Sequence, residues 1–175
     1  MVMIDSNGEL IEQSTMQSLT LRNPETAHES DRNKHYEERT VVQQTMLKHH
    51  PNIVVVGTNS LHSIYLRRNL NRDIFKVITT EGFQEELVRF EVDRNELLDQ
   101  LPYVVFGDVE VPRIFSNSQR AKRMYPEYTQ QLLQAVSLAR FYQDPLAETL
   151  GLWSDPNENN ILSLKLHDLQ NEVNK

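Results

Sequence analysis

Residues 128–170, YTQQLLQAVSLARFYQDPLAETLGLWSDPNENNILSLKLHDLQ, carry the strongest structural signal in this sequence of 175 residues. Their first part places apolar residues at the spacing of one helix face, which predicts a helix with a single buried stripe. Pro126 suits the first turn of this helix, because the first N–H groups of a helix lack partners within it. The helix must end before Pro145, whose ring disfavours helical geometry in the preceding residue. The predicted stripe consists of Tyr128, Leu132, Ala135, Val136, Ala139 and Tyr142.

A second, shorter helix is predicted directly after this break. Asp144 is a favoured N-cap residue, and Pro145 suits the first helical position. Glu148 falls in the first turn, where the helix dipole favours negative charge. Gly151 is expected to end the helix. A helix, an Asp-Pro break, a short helix and an apolar segment therefore follow one another in a specific order.

This order carries a resemblance to a known family. The segments QAVSLARFYQDPLAE (134–148), ILSLKLHDLQ (161–170), PNIVVVGTN (51–59) and RIFSNSQRAKRMYPEY (113–128) resemble YqgF-type, RNase H-like domains. Such domains occur in bacterial Tex and in its large eukaryotic relative, the suppressor-of-Ty-six family of transcription elongation factors and histone chaperones. The resemblance covers nearly the whole chain. It implies an α/β class and an RNase H-like, YqgF/RuvC-type mixed sheet with helices on both faces.

The resemblance also implies a setting for the chain. Residues 1–175 are expected to form a single YqgF-like domain that is a fragment of a larger multidomain protein. That protein is expected to be nuclear, to associate with elongating RNA polymerase II and to handle core histones.

Composition limits the chemistry that this sequence can perform. It contains no cysteine, which excludes disulfides and thiolate metal sites. Its formal net charge of −7 at pH 7 disfavours strong binding to nucleic acid, which depends mostly on phosphate neutralisation. No apolar run is long enough for a membrane span and the N-terminus lacks a signal-peptide pattern, so no membrane partner is expected.

The N-terminal part predicts a hairpin and a helix. Asp5-Ser6-Asn7-Gly8 separates two short apolar segments within Met1–Met16, and Asn-Gly is a strong hairpin signal. A third short strand is expected at Leu19–Leu21, followed by a loop or fraying helix start at residues 23–36. The helix is expected to be established by Glu37 and to end at residues 49–51. Its predicted buried residues are Val41, Val42, Thr45, Met46 and Leu47.

Two continuous apolar runs, Ile53–Val56 and Tyr103–Phe106, predict parallel strands covered on both faces. Parallel neighbours need a crossover, which residues 60–100 supply. The crossover is expected to hold a strand at Ile74–Ile78 and an acidic amphipathic helix at Glu81–Gln100. It is expected to begin with a helix that Ser60 caps and that buries Leu61, Ile64, Tyr65 and Leu70. One helix over Pro112–Met124 is expected after the second strand.

The resemblance raises the question of nuclease activity. Active RNase H-like nucleases hold two metal ions with carboxylates on the first strand, at the end of the fourth strand and in the last helix. Paired cations there clamp the attacking and leaving oxygens of one phosphate. The matching positions here are Asp5, the region around Thr58, and Asp144. Asp108 and Glu110 follow the strand predicted at Tyr103–Phe106, where recruitment to such a site would be unusual for the fold.

Each of these candidates also has a structural interpretation. Asp5 opens a hairpin loop, where an aspartate side chain bonds nearby backbone amides. Gly57-Thr58-Asn59 contains no carboxylate, and Asp144 is placed to cap a helix. The sequence therefore assigns no catalytic, cofactor-binding or metal-binding residue and no cofactor, and it predicts that the chain is not an enzyme.

Other polar and aromatic residues allow two interpretations each. His49-His50 suits either a helix-dipole contact or a metal site, and the dipole contact is favoured. Basic residues at 67, 68 and 72 and at 120, 122 and 123 form either solvated helix faces or short nucleic-acid contacts, and solvated faces are favoured. Trp153 is expected to close the helix end rather than to anchor a partner.

The function predicted from these observations is a non-catalytic scaffold or protein-interaction domain of a transcription elongation factor and histone chaperone. The expected partners are other domains of the parent protein, with core histones and the RNA polymerase II machinery as further candidates and nucleic acid weak or absent. An apolar edge formed by Leu162, Leu164, Leu166 and Leu169 is expected to dock the rest of the parent. A histone contact through the acidic residues of Glu81–Glu91 ranks second. The alternatives are a nucleic-acid-binding module and a metal-dependent RNase H/RuvC-like nuclease.

Overall fold

The computed structural model describes residues 1–58, 60–79, 102–153, 160–165, 167 and 169–172. The helix predicted at Glu81–Gln100 lies outside these residues and stays a prediction. The chain divides into two compact units, a terminal unit of Met1–Thr15 with Gly107–Lys175 and a central unit of Met16–Phe106. The assignment of the whole chain to one family domain also stays a prediction.

Helices dominate the described part of the chain. In order, its elements are β1 (Val2–Ile4), β2 (Leu10–Gln13), α1 (Glu29–His49), β3 (Ile53–Gly57), α2 (His62–Thr79), β4 (Tyr103–Gly107), α3 (Glu110–Asn117), α4 (Gln119–Met124), α5 (Gln130–Gln143) and α6 (Pro145–Leu150). Short 3-10 turns lie at Ser18–Thr20, Pro24–Thr26, Gly151–Trp153, Asn160–Ser163 and Gln170–Glu172. Among these described helices, none is both long and apolar enough to cross a membrane.

The described strands form two small sheets, one of β1 with β2 and one of β3 with β4, rather than one mixed sheet. The Tyr103 N–H donates to the Asn52 carbonyl oxygen at 3.3 Å. Because these residues stand at the beginnings of their strands, β3 and β4 run parallel, as the continuous apolar runs predicted. With helices and both kinds of strand pair present, the α/β class is confirmed.

The predicted N-terminal hairpin is confirmed. β1 and β2 are antiparallel, and their register shifts between Met3 and Ile4. The Gly8 N–H closes the turn by donating to the Asp5 carbonyl oxygen at 3.1 Å, and Gly8 has φ of +79°. Of the Asn-Gly pair, the glycine alone adopts positive φ, because it lacks the Cβ that penalises this conformation.

In the central unit, the expected third strand at Leu19–Leu21 is wrong. Ser18–Thr20 is a 3-10 turn whose backbone bonds to helices rather than to a strand. The Glu38 carboxylate accepts the N–H groups of Gln17 (2.9 Å), Ser18 (2.7 Å) and Leu19 (3.1 Å). A tight turn points successive N–H groups at one acceptor, whereas an extended strand would point them to opposite sides. The carboxylate on α1 therefore decides the conformation of this segment.

Helix α1 begins at Glu29, within the segment expected to be a loop or a fraying helix start, and it is established by Glu37 as expected. Its first part has no apolar periodicity, so the sequence signal for this extension is weak. Of the residues predicted to be buried, Val42 and Thr45 are buried, whereas Val41 is 39% exposed. The side chain of Leu47 lies outside the described part.

Helix α2 buries polar residues and exposes apolar ones, which reverses the prediction. Ser63 and Asn69 are buried, whereas Leu61 is 76% and Ile64 is 56% exposed. Ser63 Oγ donates to the Gly57 carbonyl oxygen at 2.6 Å, and Asn69 Nδ2 donates to the carbonyl oxygens of Leu19 (2.8 Å) and Leu21 (2.9 Å). Hydrogen bonds to backbone carbonyl groups of other segments thus hold these polar side chains inward. Leu70 is buried as predicted.

The strand expected at Ile74–Ile78 is wrong, because α2 continues through Thr79. The preference of these residues for strands depends strongly on their surroundings. An established helix gains one hydrogen bond for each residue that it adds. The helix therefore extends through a segment that the sequence alone assigned to a strand.

The single helix expected at Pro112–Met124 is two helices, α3 and α4, separated by Ser118. Ser118 has an extended backbone, and its Oγ accepts the Ala121 N–H at 3.1 Å. An N-cap of this kind starts a new helix. The core of the terminal unit is built by buried side chains from α3, α4, α5 and the segment after α6, namely Val111, Ile114, Phe115, Ala121, Leu133 and Leu152.

Helix α5 begins later than predicted and buries a different face. Thr129 is its N-cap, with Oγ1 accepting the Leu132 N–H at 3.4 Å, so Tyr128 lies outside the helix. Tyr142 is 41% exposed. The buried residues are Leu133, Val136, Ser137 and Leu138. The face is rotated because Ser137 bonds to a group on the neighbouring helix α6.

We expect Glu38→Ala to lower the free energy of unfolding by about 2 kcal/mol, because it leaves three backbone N–H groups without their charged acceptor. Glu38→Gln retains one acceptor oxygen and should cost about half as much. Urea denaturation measures both changes. The matched control is Glu37→Ala, at an exposed neighbouring position, which should change stability by less than about 0.5 kcal/mol. Equal effects of the changes at 37 and 38 would contradict the assigned role of Glu38.

Candidate functional site

Asp5 lies in the turn of the hairpin, in the terminal unit. Its Oδ1 accepts the N–H groups of Asn7 and Glu9, both at 2.8 Å. These bonds hold the loop in the conformation that Gly8 allows. The structural interpretation of Asp5 is therefore the one that the contacts support.

Asp144 caps α6, as the sequence predicted. Its Oδ1 accepts the Ala147 N–H at 2.9 Å, and Pro145 occupies the start of the helix. Glu148 follows in the first turn, where its Oε1 accepts a 2.6 Å hydrogen bond from the buried Ser137 Oγ. This bond ties α6 back against α5 across the Asp-Pro break.

The structure brings the hairpin loop against the C-terminal end of α5. Arg140 Nε donates to the Gly8 carbonyl oxygen at 2.8 Å, and Gln143 Nε2 donates to the Asp5 carbonyl oxygen at 2.7 Å. Gln143 directly precedes Asp144. The two carboxylate positions that resemble nuclease ligands therefore belong to one region of the terminal unit.

A guanidinium group lies in that region. Besides Gly8, Arg140 donates through Nη2 to the Tyr125 hydroxyl at 2.8 Å, and the Tyr125 ring stacks on Tyr128 at 4.9 Å. A fixed positive charge beside the loop repels metal cations and lowers the affinity of neighbouring carboxylates for them. Sequence reasoning missed Arg140, because its predicted helix face did not include this position.

The remaining carboxylate candidates also make local bonds. Asp108 Oδ1 accepts the Glu110 N–H at 2.9 Å, and Glu110 Oε2 accepts from Arg113 Nη2 at 2.8 Å. Thr58 follows β3 in the central unit. Within the described ranges, histidine, aspartate and glutamate side chains do not form a group of three that could hold a metal ion.

The histidine pair ends α1. His50 has φ of +45° and ψ of 57°, and its N–H donates to the Met46 carbonyl oxygen at 2.9 Å. This left-handed residue is a C-terminal cap, and histidine is among the residues that tolerate the conformation. The buried histidine is instead His35, whose Nδ1 lies 2.9 Å from the Ser18 carbonyl oxygen.

Several arginines of the predicted basic clusters donate to backbone carbonyl groups, so a purely solvated face is wrong for them. They are Arg67, Arg68, Arg120 and Arg123. Arg67 Nε donates to the Val104 carbonyl oxygen at 3.2 Å, and its guanidinium lies 4.6 Å from the Phe106 ring centroid. Arg120 Nη1 donates to the Gly151 carbonyl oxygen at 2.9 Å. A Cβ at Gly151 would displace that guanidinium, so a larger residue at this position would change the Arg120 contact.

The end of α6 differs from the prediction. Gly151 is right-handed and the chain continues as a 3-10 turn, so the glycine does not reverse the chain. Leu152 is buried, whereas Trp153 is 61% exposed. The hydrophobic contact that closes the helix end therefore comes from Leu152, and the expectation for Trp153 is wrong.

The C-terminal apolar segment is partly packed. Ile161 and Leu164 lie against the core of the terminal unit. Leu162 and Leu169 are 57% and 61% exposed. Leu166 lies outside the described residues. Of the predicted apolar edge, two leucines are thus available to a partner.

A family model described as YqgF, Holliday-junction resolvase-like of SPT6, matches residues 1–152 of this chain. The chain belongs to this YqgF family. It is 32% identical over 170 residues to the transcription elongation factor SPT6 homolog of Arabidopsis thaliana, an alignment that covers 97% of the chain. It is 33% identical over 123 residues, 70% of the chain, to transcription elongation factor SPT6 of Drosophila melanogaster.

The YqgF chain spans a small part of these relatives. It covers 9% of the Arabidopsis protein and 6% of the Drosophila protein. Transcription elongation factor SPT6 of Candida albicans is 32% identical over 120 residues, which cover 69% of the chain and 8% of that protein. The resemblance that the sequence indicated is therefore confirmed.

We expect Asp144→Asn in this YqgF domain to preserve stability, because asparagine caps helices about as well as aspartate. Asp144→Ala should lower the free energy of unfolding by about 1 kcal/mol through loss of the bond to Ala147. Thermal and urea denaturation measure both. Glu127→Ala removes an exposed carboxylate nearby in the sequence and serves as the control. An asparagine variant as unstable as the alanine variant would contradict the capping role.

Proposed function

We propose that this chain is a non-catalytic protein-interaction domain of a transcription elongation factor that acts with RNA polymerase II in the nucleus. Membership of the YqgF family of SPT6 supports the setting. The relatives' names, transcription elongation factor SPT6, support the process. The chain's residues are proposed to take no catalytic, cofactor-binding or metal-binding part.

The main support for the absence of catalysis is that the two carboxylates at nuclease-ligand positions bond to backbone groups. Asp5 bonds the backbone of its own loop, and Asp144 bonds the backbone of α6. A two-metal mechanism needs carboxylates that converge on a pair of cations. Here Arg140 binds the loop that holds Asp5, and its positive charge disfavours the binding of cations to that loop.

Charge and contacts favour protein over nucleic acid as the partner. The net charge is −7, whereas phosphate recognition needs a basic stripe. Arg67, Arg120 and Arg140 each donate to a backbone carbonyl group, which reduces their reach toward phosphate.

The partners proposed for the domain are other segments of the longer protein and, after them, core histones and the RNA polymerase II machinery. The chain spans less than a tenth of several relatives, so much of such a protein lies elsewhere in its sequence. Exposed apolar side chains on the terminal unit, including Leu162 and Leu169, are candidates for such contacts. The histone chaperone role of the parent belongs to this proposal.

We expect the wild-type chain with Mn²⁺ to cleave neither single-stranded nor branched DNA above the rate of a blank. The physical reason is that the carboxylates are held by backbone bonds and Arg140 opposes a cation. Asp144→Asn and Asp5→Asn, measured in the same assay, should match the wild type. Robust cleavage by the wild type that is lost in Asp144→Asn would overturn the non-catalytic proposal.

A second experiment tests the preference for protein. The chain is titrated at near-physiological salt with single-stranded RNA, single-stranded DNA, core histones and a fragment of the parent protein that adjoins it. We expect binding to the parent fragment that exceeds binding to either nucleic acid. Submicromolar affinity for RNA or DNA, without affinity for either protein partner, would overturn the proposed function.

A further inference from the structure

An exposed surface on the central unit combines apolar side chains with two cations. Leu61, just before α2, is 76% exposed, and Ile64 in its first turn is 56% exposed. Tyr65 and Arg68 continue the same helix face at i+4 and i+7 from Leu61. Arg22 joins them from the segment before α1. We call these five residues the Tyr65 surface.

The cations are arranged around the aromatic ring. The guanidinium groups of Arg22 and Arg68 lie 6.0 Å and 5.6 Å from the Tyr65 ring centroid. Arg68 Nη2 also donates to the Arg22 carbonyl oxygen. These contacts hold two positive charges beside the apolar residues, instead of leaving them on freely rotating side chains.

The fold explains why this face points outward. The opposite side of α2 buries Ser63 and Asn69, whose side chains satisfy carbonyl groups of other segments. That requirement fixes the rotation of the helix about its axis. The apolar residues at 61 and 64, which would normally turn to the core, are consequently left on the surface.

We propose that the Tyr65 surface binds an acidic amphipathic helix of a partner protein. This inference rests on the proposed function and specifies the chemistry of the partner. Charge complementarity carries it, because two guanidinium groups form a positive patch on a chain whose net charge is −7. Carboxylates of the partner would meet Arg22 and Arg68. Its apolar residues, one helical turn apart, would pack on Leu61 and Ile64.

The same residues disfavour a nucleic acid as the occupant. A base that stacked on Tyr65 would compete with the guanidinium groups for the ring. Leu61 and Ile64 offer neither a stacking plane nor a hydrogen bond to a base. Burying these aliphatic side chains against leucine or phenylalanine of a peptide is the favourable alternative. The small size of the surface indicates affinity in the micromolar range.

The test selects a partner from a display library of random peptides of about 16 residues, a length that supports a helix. The target is the folded 175-residue chain. We expect enriched peptides to be acidic and to carry apolar residues at i, i+3 and i+4. The most enriched peptide is then synthesised, labelled and titrated by fluorescence anisotropy.

Two variants localise the binding. Ile64→Ser and Arg68→Glu should each weaken the peptide's affinity about tenfold. Ile11→Ser, at a 50% exposed isoleucine, and Lys34→Glu, at an exposed lysine, are the matched controls and should leave affinity unchanged. Circular dichroism checks that each variant is folded. If the Arg68→Glu variant does not fold, the peptide affinity of the Ile64→Ser variant alone tests the inference, because the Ile64 side chain lies outside the core.

Each contrary result has a distinct meaning. Peptides that bind equally to the wild type and to both surface variants overturn this inference and leave the proposed function standing. Enrichment without acidic residues, or no enrichment, also overturns the inference. A labelled poly-dT or poly-U oligonucleotide is titrated in parallel. If it binds with submicromolar affinity, Arg68→Glu abolishes this binding and no peptide is selected, both the inference and the proposed function are overturned.

Discussion

Backbone polar groups outside regular strands need partners, and in this protein helix side chains provide them. In the central unit, Glu38 binds three successive N–H groups of the segment that opens it, and Asn69 binds two carbonyl oxygens of the same segment. In the terminal unit, Arg140 and Gln143 bind carbonyl oxygens of the hairpin loop. The described strands pair as two short sheets, so the sheets alone satisfy few of these groups.

This requirement decides which helix faces are buried. A helix face that carries a side chain bonded to a backbone group is turned inward even when that side chain is polar. The reason is that an unpaired buried N–H or C=O group costs about as much free energy as a lost hydrogen bond. Asn69 and Ser63 do so on α2. On α5, Ser137 turns inward for a similar reason, because it donates to the side-chain carboxylate of Glu148. Apolar residues such as Ile64 are displaced to the surface as a result. Surfaces of this origin are available for binding without any loss of core packing.

The same use of polar side chains supports the proposal that this domain lacks the activity of the nucleases that it resembles. A carboxylate that accepts backbone N–H groups has its orientation fixed by local structure, and one of its oxygens is engaged. Asp5 and Asp144 are both of this kind, and the neighbouring cation Arg140 reinforces the difference. A likeness in fold and in the position of acidic residues is therefore insufficient for a likeness in chemistry.

Local signals in the sequence determined the hairpin turn at Gly8 and the Asp144 cap, because each depends on neighbouring residues. The contiguous apolar runs and motifs indicated the parallel strands β3 and β4 and the family. Tertiary structure decided the rest. The start of α1 at Glu29, the break at Ser118 and the outward face of α2 lack a distinctive periodic signal. The outward face of α2 follows from hydrogen bonds between residues far apart in the chain, such as Asn69 with Leu19. The break at Ser118 comes from a local N-cap bond to Ala121, which periodicity does not report. Periodicity reports how apolar a face is, whereas burial also depends on which distant backbone groups that face must satisfy.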